Sequence, residues 1–148
     1  MIRIFLVLCC FLSIQKDEPV LSWNESYSLN WSDFHDKPNM KSSAVAITAS
    51  GITFGFSIEQ TDNNEVLSFT TAVHAYFYPE QSWYKKGRAD IHILGHEQRH
   101  FDITELVSRK FRMRIKNLKV SNYINGELKQ IHKSILKEMS QMQDTYDY

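Results

Sequence analysis

The segment from Ile93 to Leu106 constrains the chain most, because it holds a single His-Glu-x-x-His pattern within an apolar repeat of helical spacing. Residues four apart on an α-helix share a face and are separated by roughly 6 Å along the axis. His96 and His100 would therefore reach one metal ion together, at the distance of about 2.0 to 2.1 Å that zinc prefers for imidazole nitrogen. Glu97, about 100° round the helix, can contact a metal-bound water without being a ligand.

The surrounding residues predict that this motif lies on a long helix, from about Ile91 to Leu118, with Asp90 as its N-cap. A step of about 100° per residue places the two histidines on one stripe with Val107 and Phe111. The opposite stripe is charged or polar and comprises Gln98, Glu105, Arg109, Arg112 and Lys116. The histidines therefore face inward, as metal ligands must, and Glu105 with Arg109 is interpreted as a solvated ion pair.

A second helix is predicted from Gly126 to about Met142, where apolar residues recur at helical spacing. The turn at residues 121–125 is short enough for an antiparallel helix pair. Such a pair brings the C-terminal residues alongside His100, while His92 lies too far along the first helix to share the ion. The candidates for a third ligand are Asp144, Asp147, His74 or a residue beyond Tyr148.

Strand-like runs precede the helices, namely Ala44–Ser50, Ile52–Ile58 after a break at Gly51, and Glu65–Tyr78 after a turn at 61–64. They predict a small antiparallel sheet packed on a two-helix unit, which is an α+β fold. The edge of the 65–78 strand is a candidate for pairing with an extended peptide substrate.

The first 15 residues predict an export signal, because Arg3 is followed by an apolar run too short to span a bilayer comfortably. Residues 16–29 form a polar leader, and residues 30–148 form a single domain of ordinary size. Cys9 and Cys10 are the only cysteines, so the mature chain would have no disulfide and no thiolate ligand. Lipoprotein anchoring through Cys10 is a minor alternative.

Charge excludes one class of partner. Seventeen basic residues balance seventeen acidic ones, so the chain lacks the basic surface typical of nucleic-acid binding. After removal of the signal, nothing in the sequence predicts stable membrane insertion, and the oligomeric state stays open.

Four segments carry a resemblance to a known family: Asn30–Phe34, Ala44–Ile52, Ser82–Trp83 and above all His96–Leu106. They resemble a bacterial family of unknown function described as predicted secreted zinc-dependent proteases. The resemblance runs from about Asn30 to the end and implies a zincin-like, exported zinc protein with His96 and His100 as ligands and Glu97 as the catalytic residue. It also implies a Thr-x-His-Gly element after Tyr-Asp, whereas this sequence has Tyr146-Asp147 and ends at Tyr148.

Motif and resemblance together predict a secreted or periplasmic zinc metallopeptidase acting on peptide or protein substrates. Zn²⁺ would lower the pKa of a bound water toward about 7, and Glu97 would act as the general base. The alternative is a catalytically inactive zinc-binding or interaction module with an incomplete site, including one truncated at the C-terminus.

Overall fold

The computed structural model describes residues 18–147, so the predicted signal of residues 1–15 and the final Tyr148 lie outside the described residues. The elements are β1 (Leu21–Ser22), β2 (Ala46–Ile47), β3 (Ser50–Gln60), β4 (Val66–Phe77), β5 (Trp83–Tyr84), α1 (Ile91–Lys116) and α2 (Ile124–Tyr146), with single 3-10 turns at Trp31–Asp33 and Pro79–Gln81. Within this described part, no helix is both long enough and apolar enough to cross a membrane.

An antiparallel hairpin of β3 and β4 forms the body of the sheet. Its register runs from Ser50 opposite Phe77 to Ile58 opposite Phe69, with an irregularity just before the turn. The turn predicted at residues 61–64 is confirmed, and Asn64 adopts a φ of 63° there. Asparagine tolerates this left-handed conformation better than most residues, so the sequence fits the turn it makes.

The chain passes through Gly51 without a break, so the prediction that Gly51 separates two strands is wrong. The interruption lies at residues 48–49, between β2 and β3. Gly51 serves another purpose, because a Cβ at this position would lie 3.2 Å from the ring of Tyr78. The absence of a side chain at Gly51 therefore lets the Tyr78 ring approach β3 closely, while Gly51 still pairs with Tyr76 of β4.

Short strands complete the two sheets. β1 pairs with the end of β4, with Leu21 opposite Phe77, so β4 is the central strand of three and has no free edge at that end. β2 and β5 form a separate antiparallel ribbon, with Ala46 opposite Tyr84 and Ile47 opposite Trp83. α1 packs mainly on β4, and the β2 segment borders the end of α1 that carries the motif.

Both predicted helices are present, and they pack against each other as an antiparallel pair. Asp90 caps α1 as expected, since its carboxylate accepts a hydrogen bond from the Ile93 amide at 2.9 Å. α1 ends at Lys116, two residues earlier than predicted. α2 begins two residues before Gly126 and continues four residues past Met142. The extra turn at its end carries the chain as far as the histidines of α1.

The helices cover one face of the hairpin and bury a core shared by all of these elements. Its fully or nearly buried members include Val73, Val107, Phe111, Leu128 and Ile135. Burial of this apolar surface is the main force that holds the helix pair on the sheet. The α+β fold with a small antiparallel sheet and two helices is therefore confirmed.

One charged residue of α1 departs from the predicted pattern. Glu105 is only 8% exposed, so the interpretation of a solvated ion pair is wrong. Its carboxylate accepts hydrogen bonds from Arg109 at 2.9 Å and from Arg112 at 2.6 Å. Arg112 also donates to the Val73 carbonyl, so this cluster fastens α1 to β4.

Candidate metal site

The two histidines of the motif point to the same spot on the inner side of α1. Their separation of four residues places both rings on one face, and their Nε2 atoms lie 3.0 Å apart. The His100 side chain is only 14% exposed, whereas that of His96 is 41% exposed. The site therefore has a closed side at His100 and an open side at His96.

Asp147 brings a carboxylate to the same spot from the other helix. It is the C-cap of α2, and its Oδ1 lies 2.9 Å from His100 Nε2 and 3.3 Å from His96 Nε2. The ligand atoms of these three residues all lie within 4.8 Å of one another. Within the described part of the chain, this is the group of histidine and acidic residues that is arranged to hold a metal ion.

The spacing of these atoms fits a tetrahedral ion. Ligands about 2.0 to 2.2 Å from a zinc ion at tetrahedral angles lie about 3.3 to 3.6 Å from one another. The three observed separations are 2.9, 3.0 and 3.3 Å, so small side-chain adjustments would admit the ion. Two imidazole nitrogens and one carboxylate oxygen form a donor set of the catalytic type, which leaves a fourth position open.

Gln143 fixes the orientation of His100. Its Oε1 lies 2.6 Å from His100 Nδ1, and its Nε2 donates to the His100 carbonyl at 2.9 Å and toward Thr104 Oγ1 at 3.3 Å. Because the amide oxygen can only accept, Nδ1 must carry the proton. In the neutral imidazole, the form that binds a metal, the lone pair then lies on Nε2, which faces His96 and Asp147.

The Tyr146 ring packs against both histidines. It stacks on His96 at a centroid distance of 4.7 Å and meets His100 edge-on at 5.2 Å. Arg99 donates a hydrogen bond to the Tyr146 hydroxyl at 3.4 Å, and this contact raises the pKa of the guanidinium. A fixed positive charge therefore lies at the rim of the site.

Glu97 lies beside the cluster and is 5% exposed. It lines a cleft of about 490 Å³ together with His96, Asp147, Ile93 and residues 43–47 of the β2 segment. Thr48 Oγ1 donates to the Glu97 carbonyl at 3.2 Å, which ties the end of this segment to the motif. The cleft has the size of a small-molecule or peptide side-chain site, and a carboxylate, a metal-ligand cluster and a strand all border it.

The other residues considered from the sequence lie elsewhere. His74 is exposed and packs near Tyr76, outside the cluster, and Asp144 is exposed on α2. His92 is exposed one turn before the cluster. Asp102 accepts hydrogen bonds from Trp23 and Gln98, so it anchors the N-terminal segment instead of orienting a histidine.

The family model described as "Bacterial protein of unknown function (DUF922)" matches residues 27–148. The chain belongs to this family. No match is found among curated proteins or among solved structures. The resemblance to a bacterial family of unknown function is thus confirmed, and the matched region contains every residue of the cluster and the cleft.

Sequence reasoning missed Gln143, Tyr146 and the role of residues 43–47. The sequence does contain a signal for Gln143, because Gln143 precedes Asp147 by four residues and therefore lies on the same face of the helix. The contribution of Tyr146 and of the β2 segment depends on how distant elements pack, which the periodicity of one element does not encode.

Proposed function

We propose that this family member is an exported, zincin-like zinc metallopeptidase that hydrolyses peptide bonds. The observation that carries the proposal is the convergence of His96, His100 and Asp147 beside the buried Glu97 at one cleft. Two histidines and a carboxylate are a known ligand set of catalytic zinc sites. A purely structural zinc site would use four protein ligands and would need no cleft.

The zinc ion would supply Lewis acidity, which polarises the substrate carbonyl and acidifies water. Glu97 would accept the proton of the attacking water and later donate it to the leaving amine, as a general base and then a general acid. Its position one residue after His96 directs it to the same cleft while keeping it out of the ligand set. Gln143 would keep the His100 ring in the ligating orientation.

An extended peptide would lie along the β2 segment, because residues 43–47 border the cleft opposite the motif helix. The segment consists of Ser43, Ala44, Val45, Ala46 and Ile47, and Ile93 faces it from α1. Since this part of the wall is small or apolar and uncharged, it favours substrates with small or apolar residues next to the scissile bond.

The metal assignment is tested by measuring zinc content and zinc affinity of purified protein. We expect one zinc ion per chain in the wild type and a loss of stoichiometric zinc in His100→Ala and Asp147→Asn. Asp144→Asn is the matched control, because it removes an exposed carboxylate one turn away on the same helix. Equal zinc binding by Asp147→Asn and the wild type would remove Asp147 from the ligand set.

The catalytic assignment is tested with a fluorogenic peptide library. We expect cleavage by the zinc-loaded wild type, inhibition by a chelator and recovery on adding zinc. Glu97→Gln should retain zinc and lose hydrolysis, because the amide cannot accept the proton from water. Full activity of that variant would refute the mechanism, and zinc binding without cleavage of any peptide would leave the alternative of a zinc-binding module.

Export is proposed on residues 1–15 alone. Fractionation of a bacterial host that produces the chain, followed by N-terminal sequencing, tests it. A chain recovered outside the cytoplasm with its N-terminus near residue 16 is expected, and an intact N-terminus in the cytoplasm would contradict the proposal.

A further inference from the structure

A second cavity, of about 730 Å³, lies on the β5 side of the β2–β5 ribbon and shares no lining residue with the metal cleft. Its walls come from the Trp31–Asp33 turn, the loop that follows it, and the residues of β5 and just beyond. The volume falls within the range of about 300 to 1,000 Å³ that is typical of sites for small organic ligands. Nothing in the proposed peptidase mechanism uses it.

Lys85 is the most informative residue of this cavity, because it is only 4% exposed although it bears a charge. Its ammonium donates one hydrogen bond, to the Ser42 carbonyl at 2.6 Å, and lies 5.8 Å from the centroid of the Trp83 ring. Among the described residues, no carboxylate forms an ion pair with it. An ammonium has three donors and a buried charge is costly unless it is paired, and two donors of Lys85 have no hydrogen-bond partner among the described residues.

The wall of the cavity around Lys85 carries further positive charge. Lys37 and Lys86 also line the cavity, and Asp36 is the acidic residue on its wall. His35 lies at the rim with its two ring nitrogens 2.8 Å from Glu80 Oε1 and 2.9 Å from the Ser32 carbonyl, and the hydrogen bond with Glu80 raises the pKa of His35. The cavity is therefore positive, in a chain whose formal net charge is zero.

Aromatic rings form the remaining wall. Trp31 and Tyr84 stack at a centroid distance of 4.5 Å with an interplanar angle of 24°, and Phe34 packs behind them. Trp31 and Tyr84 are both partly exposed, so they can contact a ligand. Rings of this kind bind the apolar or planar part of a ligand, while ammonium groups bind its anionic part.

We propose that this cavity binds a small organic anion, a carboxylate or phosphate group joined to an aromatic or apolar body. Lys85 and Lys86 pair with the anionic group, and Trp31 and Tyr84 contact the body. The cavity shares no lining residue with the metal cleft, so the proposal does not rest on the metal cluster. Its test therefore does not depend on peptidase activity.

The test is a calorimetric and tryptophan-fluorescence titration of the purified chain with phenyl phosphate, phenylacetate, inorganic phosphate and neutral benzyl alcohol. We expect at least one aromatic anion to bind with a Kd of about 1 mM or lower, and benzyl alcohol to bind about tenfold more weakly or not at all. Preference for phenyl phosphate or for phenylacetate identifies the anionic group. Titrations before and after chelator treatment should agree, which separates this site from any anion bound at the metal.

Variants assign the binding to the cavity. Lys85→Met should weaken binding of the aromatic anion by about tenfold or more, whereas Lys116→Met, at the far end of α1, should leave it unchanged. If Lys85→Met fails to fold, Lys86→Met removes an exposed charge from the same wall and should weaken binding several-fold. Equal affinity for benzyl alcohol, absence of binding by both aromatic anions, or unchanged affinity in the folded lysine variants overturns the proposal.

Discussion

Replacement of Gln143 by leucine should weaken zinc binding without removing any ligand atom. The side-chain Oε1 lies 2.6 Å from His100 Nδ1 and accepts its proton, and the side-chain Nε2 donates to the His100 carbonyl at 2.9 Å. Loss of a hydrogen-bonding partner behind a metal-bound histidine typically costs 10- to 100-fold in affinity, or about 1.4 to 2.7 kcal/mol. The same substitution removes two well-formed hydrogen bonds from the interface of α1 and α2, at a net cost of about 1 to 2 kcal/mol of unfolding free energy.

Gln143→Glu separates these two effects. A carboxylate still accepts the Nδ1 proton of His100, so zinc affinity should return to the wild-type value or exceed it. It cannot donate to the His100 carbonyl or to Thr104 Oγ1, so the loss of unfolding free energy in the metal-free protein should persist. A role confined to helix packing would instead make both variants lose zinc affinity and stability in parallel.

The measurements are competition for zinc against a chelating dye and urea unfolding of the metal-free protein, each made on the wild type and both variants. Gln141→Leu is the control, because Gln141 is exposed on the same helix and its side chain forms no hydrogen bond within the described part of the chain. Wild-type zinc affinity in a folded Gln143→Leu variant would refute the reasoning, and so would equal losses of affinity in the leucine and glutamate variants.

Three further predictions concern stability and protonation. The hydrogen bond with Lys110 lowers the pKa of Glu138. The contribution of this pair to the unfolding free energy is therefore present above pH 4.5 and is lost as the pH falls through the lowered pKa. In urea unfolding, Glu138→Gln should be less stable than the wild type by about 0.5 to 1 kcal/mol at pH 7 and equally stable near pH 2. The hydrogen bond with Glu80 raises the pKa of His35, so NMR titration of His35 should give a midpoint above pH 6.5, and Glu80→Gln should lower that midpoint. The contribution of this pair to the unfolding free energy is present below pH 6.5 and is lost as the pH rises through the raised pKa. Leu128→Ala, at a fully buried position, should cost about 2 to 5 kcal/mol in the same unfolding assay, and a loss below 1 kcal/mol would contradict its place in the core.

Local periodicity was sufficient to predict the two helices and one part of the site. The spacing of His96 and His100 is a property of one helix, and their inward orientation follows from the apolar residues on the same stripe. The N-cap at Asp90 and the turn before β4 also follow from local chemistry. These are the features for which the sequence contains the answer within about ten residues.

Features that depend on two distant elements were not accessible in this way. Gly51 appeared to be a break because glycine usually weakens strands, yet it is retained beneath the ring of Tyr78, which follows β4. Glu105 is predicted to be solvated because it shares the charged stripe of the helix with Arg109, yet it is buried and bonded to Arg112, which also donates to the Val73 carbonyl of β4. In both cases the tertiary partner overrides the local preference.

The end of α2 violates a local rule in a way that singles out Asp147. Acidic side chains at the C-terminus of a helix interact unfavourably with its dipole, by about 0.3 to 1 kcal/mol each, and basic residues are preferred there. The last turn of α2 contains Asp144, its C-cap is Asp147, and it has no basic residue. A divalent cation held between Asp147 and the two histidines would offset this cost at the place where the carboxylate would otherwise be unfavourable. Departures from local preference are expected where function requires them, so an acidic helix end one turn after Gln143 is a sequence signal that supports Asp147 as the third ligand of the proposed metal site.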